Sequence, residues 1–214
     1  MVSKRDRAAA TKKTLIQHGA RLFAQKGYEG VSLEAISRAA KVNKAMVSYH
    51  FGGKQGLYSA VLLLSIRAIA LKLEPARDRS LAPPQRLRLF IACLVDAFRE
   101  HPEFPFIVLR EEMSGGQRIE DDVLKEFVGF YELDRDILQA GMDSGDFKKV
   151  DPHEAHLSIV GSLAFFLASQ PLREARLESG QMPKKPNLGS YAEYVTEVFL
   201  QGLRDLDEKT GDRP

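Results

Sequence analysis

The sequence has 214 residues but contains only one cysteine, Cys93, and no tryptophan. A single cysteine cannot form an internal disulfide or supply the several thiolates of a cysteine-rich zinc site, so both of these classes are excluded. A long hydrophobic run is also missing, because the most apolar uncharged stretch, Leu157 to Ala168, has 12 residues and a bilayer span needs about 20. The charged N-terminal segment is not followed by the apolar region of a signal peptide. We therefore expect a soluble cytoplasmic protein without a membrane segment.

The net charge of +2 is small, but it is distributed unevenly along the chain. Residues 1–54 contain 11 Lys and Arg against 3 Asp and Glu, which gives +8; the remaining 160 residues contain 20 against 26, which gives −6. A basic segment followed by an acidic body indicates two functions in one chain. Charge alone leaves open whether the basic segment binds nucleic acid or is a solvated face.

The spacing of apolar residues predicts helices throughout the chain. No segment shows sustained alternation of apolar and polar residues, whereas helical spacing recurs from residue 11 onward. Capping residues, prolines and glycines divide this pattern into about nine helices, with polar segments at Pro183–Pro186 and from Asp207 onward. We predict an all-α fold with a three-helix helix-turn-helix domain at residues 1–54 and a helical ligand-binding and dimerisation bundle at residues 55–214.

The basic segment has the pattern of a helix-turn-helix. Ser32 and Asn43 are good N-cap residues for two short helices, 33–40 and 44–50, which are separated by three residues and preceded by a helix over 11–26. The second short helix is expected to present polar, small and aromatic side chains to a major groove, namely Asn43, Lys44, Ala45, Ser48 and Tyr49. Lys54 begins the next helix, where its ammonium group and the free backbone N–H groups can hold a phosphate.

Four elements of this segment occur in a characteristic order: ARLFAQKGYEG at 20–30, VSLEAISRAAKV at 31–42, YHF at 49–51, and Lys54 before Leu57 and Tyr58. Together they resemble the DNA-binding domain of the TetR family of bacterial transcriptional regulators. The resemblance implies an all-helical fold of typically nine helices. It also implies that the first three helices bind DNA and that the remaining helices bind a ligand and dimerise.

The resemblance also implies roles for individual residues. Ser32 and Lys54 match positions that contact phosphates. Asn43, Lys44, Ala45 and Met46 match positions that contact bases. Tyr49 and His50 match positions that touch the DNA backbone or a base edge. The sequence departs from the family at Lys41, where glycine is common, and at Ser48, where tyrosine is common.

The acidic body is rich in phenylalanine, since ten of the 12 Phe residues follow Phe51. Most of them are expected to pack in the core, and some can line an apolar effector cavity between helices. The candidate pocket residues are Phe90, Cys93, Phe104, Ile107, Arg110, Phe127, Phe130, Phe165 and Phe166. Sequence alone does not separate pocket from core.

The segment 157–168 is apolar on nearly every side, so a helix there needs a partner on each face. A four-helix interface, built from two helices of each of two subunits, would supply these partners. The candidate interface residues are Gly161, Ala164, Ala168, Tyr191, Tyr194 and Val198. The alternative is one helix buried inside a monomer.

Enzymatic function has little support in the sequence. His153 and His156 are spaced i, i+3 but lack a clear third metal ligand, and no glycine-rich phosphate loop is present. We expect no catalytic residues, no metal and no cofactor. The predicted function is a ligand-responsive repressor whose homodimer binds double-stranded operator DNA and is released by a small apolar or aromatic effector. The alternative is a helical ligand-binding or interaction protein without specific DNA binding.

Overall fold

The computed structural model describes residues 3–181 and 187–204. These residues form ten α-helices, one short 3-10 helix at Glu74–Arg77 and no β-strand, which confirms the predicted all-α class. The α-helices, in chain order, are α1 (Lys4–Lys26), α2 (Leu33–Ala40), α3 (Lys44–Phe51), α4 (Lys54–Lys72), α5 (Pro83–Glu100), α6 (Phe104–Met113), α7 (Asp121–Ser144), α8 (Pro152–Ala168), α9 (Gln170–Glu178) and α10 (Leu188–Leu203). The polar segments predicted at Pro183–Pro186 and from Asp207 lie outside the described residues.

The chain forms two compact units that do not coincide with the predicted domains 1–54 and 55–214. The first unit comprises Met1–Ala68 and His101–Phe127, and the second comprises Ile69–Glu100 and Val128–Pro214. The difference arises because α6 packs on α1, and α6 buries Phe104 and Ile107. The segment that carries the helix-turn-helix therefore shares a compact unit with a helix from the middle of the chain.

Helix α1 begins earlier than the predicted start at Thr11. Ser3 is its N-cap: the Ser3 side chain accepts a hydrogen bond from the backbone N–H of Asp6, and the Asp6 carboxylate accepts one from the backbone N–H of Ser3. This reciprocal capping box satisfies two N–H groups that the first helical turn leaves free. The start of the helix is therefore determined by polar caps, which apolar spacing does not reveal.

The additional helix, α9, was not predicted. Pro171 was interpreted as following the end of α8, but it lies in the first turn of α9, where its missing N–H removes no hydrogen bond. Helix α9 has no buried residue, so the apolar periodicity that revealed the other helices is weak there.

Among the described residues one helix, α4, has the length and composition of a membrane span, with 39% of its most apolar 18-residue window buried. Helices α8 and α9 meet the same criterion only if they are taken together across a 44° bend. Core helices of soluble proteins have the same properties, and Leu57, Val61 and Ile66 of α4 are fully buried.

The second unit buries α5, which packs on α10 and on the 3-10 helix. Arg86 of α5 is almost fully buried, and its guanidinium donates hydrogen bonds to the Ala76 carbonyl (2.9 Å) and to an Asp136 carboxylate oxygen (2.7 Å). A buried charge needs such partners, because one left alone costs several kcal/mol. Cys93 is half-buried, and this burial raises the pKa of its thiol, as is typical of a packing residue.

A second buried polar pair lies on α7 and α8. Asp134 is fully buried, and one of its carboxylate oxygens is 3.1 Å from His156 Nδ1. The other oxygen, Oδ1, has no hydrogen-bond partner among the described residues. Burial raises the pKa of Asp134, and the hydrogen bond to His156 opposes this effect only in part. Within the described chain no three potential ligands are grouped in a way that could hold a metal ion.

We predict that the Asp134→Asn substitution changes how stability depends on pH. Because the folded-state pKa of Asp134 is raised above its unfolded value of about 3.9, the native state loses stability as pH rises from there through the folded pKa. The amide introduced by the substitution does not titrate, so the free energy of unfolding of the variant should rise relative to the wild type as pH increases from about 4 toward neutrality. Urea unfolding at several pH values measures this difference in the free energy of unfolding. It amounts to about 1.4 kcal/mol for each pH unit by which the folded-state pKa exceeds the unfolded value.

Asp136→Asn is the matched control with the opposite sign. The hydrogen bond from Arg86 lowers the pKa of Asp136, so its contribution is present above the unfolded pKa and is lost as pH falls. This variant should become less stable relative to the wild type as pH rises from the lowered folded pKa to the unfolded value of about 3.9. A pH-independent difference between D134N and the wild type would contradict the prediction.

Candidate nucleic-acid interface

Backbone hydrogen bonds fix the conformation of the turn between α2 and α3. The backbone N–H of Lys41 donates to the Arg38 carbonyl (3.2 Å) and that of Val42 donates to the Ser37 carbonyl (3.0 Å), which is the hydrogen-bond pattern of a Schellman cap. Lys41 has φ 55° and ψ 40°, and it is the one non-glycine residue with positive φ in the described ranges. The Asn43 side chain then accepts a hydrogen bond from the backbone N–H of Ala45 (2.8 Å) and begins α3.

Helix α3 presents a mainly polar face to solvent. The five residues predicted to point outward, Asn43, Lys44, Ala45, Ser48 and Tyr49, are all exposed, and Tyr49 is 77% exposed. The opposite face is anchored by Val47, which is fully buried, as are Ile36 of α2 and Leu15 of α1. The exposed face is therefore held by a core that crosses all three helices.

Two of the residues expected to contact DNA are less accessible. Met46 and His50 are half-buried, and the His50 Nε2 atom is buried without a hydrogen-bond partner in the described part of the chain. The ring of His50 lies edge-on to Tyr49, with 5.0 Å between ring centroids. Ser32, the predicted phosphate contact, is exposed, and its hydroxyl caps α2 by accepting from the Ala35 N–H (3.1 Å).

The side chain of Lys44 is engaged with Glu34 of α2. The two residues form an ion pair in which the Lys44 ammonium donates to the Glu34 carboxylate, and this hydrogen bond lowers the pKa of Glu34. Both side chains are about half exposed, so water and salt screen the pair and its contribution to stability is small. A DNA phosphate can therefore compete for Lys44 at little cost.

A tight turn between α3 and α4 directly precedes Lys54. Gly52 ends α3 in the left-handed conformation, and a Cβ atom at Gly56 would lie 1.9 Å from the Phe51 carbonyl oxygen. This close approach requires glycine at position 56. The ammonium of Lys54, at the first position of α4, lies 4.1 Å from the centre of the Tyr28 ring.

Three residues around this interface were missed by the sequence analysis: Tyr28, Glu34 and Arg118. The Arg118 guanidinium also lies against the Tyr28 ring, at 4.9 Å, and donates to Glu29 (2.7 Å). Arg118 is far along the chain from both Tyr28 and Lys54, so no local pattern could have indicated it. Glu34 could have been found as an acidic residue in the first turn of α2.

The candidate pocket residues are distributed over both compact units. Phe104, Ile107, Arg110 and Phe127 belong to the first unit, and Phe90, Cys93, Phe130, Phe165 and Phe166 belong to the second. In the first unit, Ile107 and Arg110 line a cleft of about 360 Å³ together with Tyr28 and Tyr58, and Phe104 stacks on Phe127.

In the second unit, the rings of Phe90 and Phe130 stack with 5.7 Å between centroids. The Phe130 ring also lies edge-on to His156 (5.3 Å), which is the partner of the buried Asp134. Phe165 is 69% exposed, and Phe166 stacks on Tyr191 with 4.3 Å between centroids.

The candidate dimer-interface residues lie on α8 and α10, which pack against each other. Tyr194 and Val198 are exposed, whereas Ala164 is buried, and Gly161, Ala168 and Tyr191 are half-buried. We call the exposed large apolar side chains of these helices the α8/α10 apolar surface: Leu157, Phe165, Tyr194 and Val198.

Two family models match the chain. The model described as "Bacterial regulatory proteins, tetR family" matches residues 7–61, and that described as "Tetracyclin repressor-like, C-terminal domain" matches residues 83–198. The first match contains the whole helix-turn-helix and Lys54, and the second contains most of the acidic body.

Curated relatives cover nearly the whole chain. The HTH-type transcriptional repressor NicS of Pseudomonas putida is 28% identical over 92% of this chain and 94% of its own length. The HTH-type transcriptional regulator RutR of Escherichia coli K12 is 25% identical over 94% of both chains.

Solved structures share the fold. A tetR-family regulatory protein from Rhodococcus RHA1 superposes with a TM-score of 0.73 at 18% identity, covering 91% of this chain and 97% of that one. HlyIIR, a hemolysin II transcriptional regulator, superposes with a TM-score of 0.65 at 24% identity, covering 92% and 99%.

We predict that Lys41→Gly stabilises the protein while Lys41→Ala does not. Both variants remove the same charge, but only glycine removes the Cβ that makes the left-handed conformation unfavourable. The free energy of unfolding of K41G should exceed that of K41A by about 1 kcal/mol, measured by denaturant titration. Equal stabilities would show that position 41 carries no backbone strain.

Proposed function

We propose a repressor mechanism for this chain, which belongs to the TetR family of bacterial regulatory proteins and is a DNA-binding transcriptional regulator. In this mechanism a homodimer binds a pseudo-palindromic operator in the cytoplasm, and a small effector releases it. The relatives are regulators rather than enzymes, and they do not favour the alternative of a helical binding protein without specific DNA binding. The observation that carries the proposal is the exposed, rigidly anchored face of α3.

The proposed DNA contacts follow from the position of each side chain. We place α3 in the major groove, with Asn43, Lys44, Ala45 and Met46 at base edges and Ser48, Tyr49 and His50 along its outer side. Asn43 uses its side-chain oxygen for the cap, so its amide N–H groups stay free to donate. Ser32 and Lys54 are proposed to hold phosphates on either side of the groove.

We predict that the charge reversals Lys44→Glu and Lys54→Glu each weaken operator binding by about tenfold or more. Each variant removes a phosphate partner, so the slope of log K against log[salt] should also fall by about one. A gel shift with a duplex of the gene's own upstream region, from about 50 to 200 mM salt, measures both quantities.

Lys125→Glu is the matched control, because Lys125 is exposed on α7, outside the helix-turn-helix segment, and undergoes the same charge change. It should bind DNA within about twofold of the wild type. If K44E and K54E bind as tightly as K125E, or if the wild type shows no sequence preference at low salt, the proposal is wrong.

We propose that the dimer forms through the α8/α10 apolar surface. Large apolar side chains grouped on two adjacent helices are uncommon on the surface of a monomer, and two such helix pairs form a four-helix bundle. A two-fold dimer would place its α3 helices about 34–36 Å apart, in successive major grooves. Gly161 and Ala168 allow close approach of the partner helices.

We predict that Val198→Arg raises the dimer dissociation constant by at least about 100-fold, because the two-fold axis would bring two unpaired charges into the interface. Sedimentation velocity measures the change. Met113→Arg is the control: Met113 is 89% exposed on α6, and its substitution should leave the dimer intact. Equal behaviour of the two variants would exclude this surface.

We propose that the effector binds within the second unit, near the stacked rings of Phe90 and Phe130. These rings supply the apolar walls that ligand pockets use, and the unpartnered Oδ1 of Asp134 supplies one polar anchor nearby. Binding would favour the dimer in which the spacing of the two α3 helices does not match the operator. A thermal-shift screen of apolar and aromatic metabolites tests this, because binding to the folded state raises its unfolding temperature.

A further inference from the structure

The ring of Tyr28 contacts two cations that come from distant parts of the chain. Tyr28 follows α1, Lys54 begins α4, and Arg118 precedes α7. The Lys54 ammonium is 4.1 Å and the Arg118 guanidinium carbon is 4.9 Å from the ring centre. Both distances are within the range of a cation–π interaction, so one aromatic side chain contacts both cations.

The position of the Tyr28 ring is fixed by aromatic neighbours. It lies edge-on to Tyr58 of α4 (5.0 Å between centroids) and parallel to Phe23 of α1 (6.0 Å), and both of these rings are almost completely buried. Packed aromatic cores are rigid, so the ring presents a fixed surface to Lys54.

Arg118 is held in place independently of Tyr28. Its guanidinium pairs with Glu29 (2.7 Å), its backbone N–H donates to Glu111 (2.9 Å), and its carbonyl accepts from Gln55 (3.1 Å). Glu111 is almost fully buried and also accepts a hydrogen bond from the Tyr58 hydroxyl (2.8 Å). This network joins the segment before α7 to the first two turns of α4, where Lys54 lies.

The contact with Tyr28 leaves the charge of Lys54 available. Lys44 forms an ion pair with Glu34, whereas Lys54 forms no ion pair within the described residues. An aromatic face restricts a flexible lysine side chain without neutralising it, and this restriction lowers the entropy that a phosphate contact must overcome.

We propose that Tyr28 is a positioning residue that holds the ammonium of Lys54 for its phosphate contact, with Arg118 fixing the ring from the segment before α7. The inference rests on the proposed role of Lys54 in DNA binding. Tyr28 itself does not touch DNA in this mechanism; it acts through Lys54.

A double-mutant cycle with Tyr28→Leu and Lys54→Gln tests the proposal on the upstream duplex. Y28L should weaken binding about 2- to 5-fold when Lys54 is present and have almost no effect in the K54Q background. Tyr28→Phe keeps the ring and should bind like the wild type. The chemical shift of the Lys54 ε-methylene group should be displaced by the ring current in the wild type and in Y28F.

The outcomes separate this inference from the function on which it rests. If K54Q changes neither the affinity nor the salt slope, Lys54 holds no phosphate, and both the contact and the inference are wrong. If K54Q weakens binding but Y28L has the same effect in both backgrounds, only the inference is wrong. A Lys54 methylene shift without ring-current displacement would also overturn it, whether or not Y28L folds.

Discussion

The proposed DNA-binding surface depends on the three-residue turn between α2 and α3. Two backbone hydrogen bonds end α2, the left-handed Lys41 reverses the chain, and the Asn43 cap starts α3 two residues later. With Val47 and Ile36 buried behind it, α3 has little freedom to rotate. Polar side chains can be exposed on many helices, but the fixed orientation of α3 keeps these together on one exposed face.

Local features made this part of the fold predictable. Ser32, Asn43 and Gly52 occupy the capping positions that delimit α2 and α3, and both helices begin and end within one residue of the prediction. Helix α9 was missed because it buries nothing, and the start of α1 was missed because it depends on the side chains of Ser3 and Asp6. Helix boundaries are predictable where caps and apolar spacing coincide.

The remaining site features depend on contacts between distant residues. The cluster of Tyr28, Lys54 and Arg118 joins three separate segments, and the ion pair of Lys44 with Glu34 joins two helices. Phenylalanines that looked equivalent in sequence differ greatly in the structure, since Phe90 is fully buried and Phe165 is mostly exposed. Composition indicates that an apolar body exists, but only the fold decides which rings face solvent.

The α8/α10 apolar surface has a consequence for how the amount of this protein relates to its effect. A chain that exposes Leu157, Phe165, Tyr194 and Val198 is poorly suited to remain alone in water, and TetR-family regulators act as dimers. Below the dissociation constant of the dimer, the concentration of dimers rises with the square of the concentration of chains. For a regulator that binds its operator only as a dimer, doubling the concentration of chains in this range raises operator occupancy up to about fourfold.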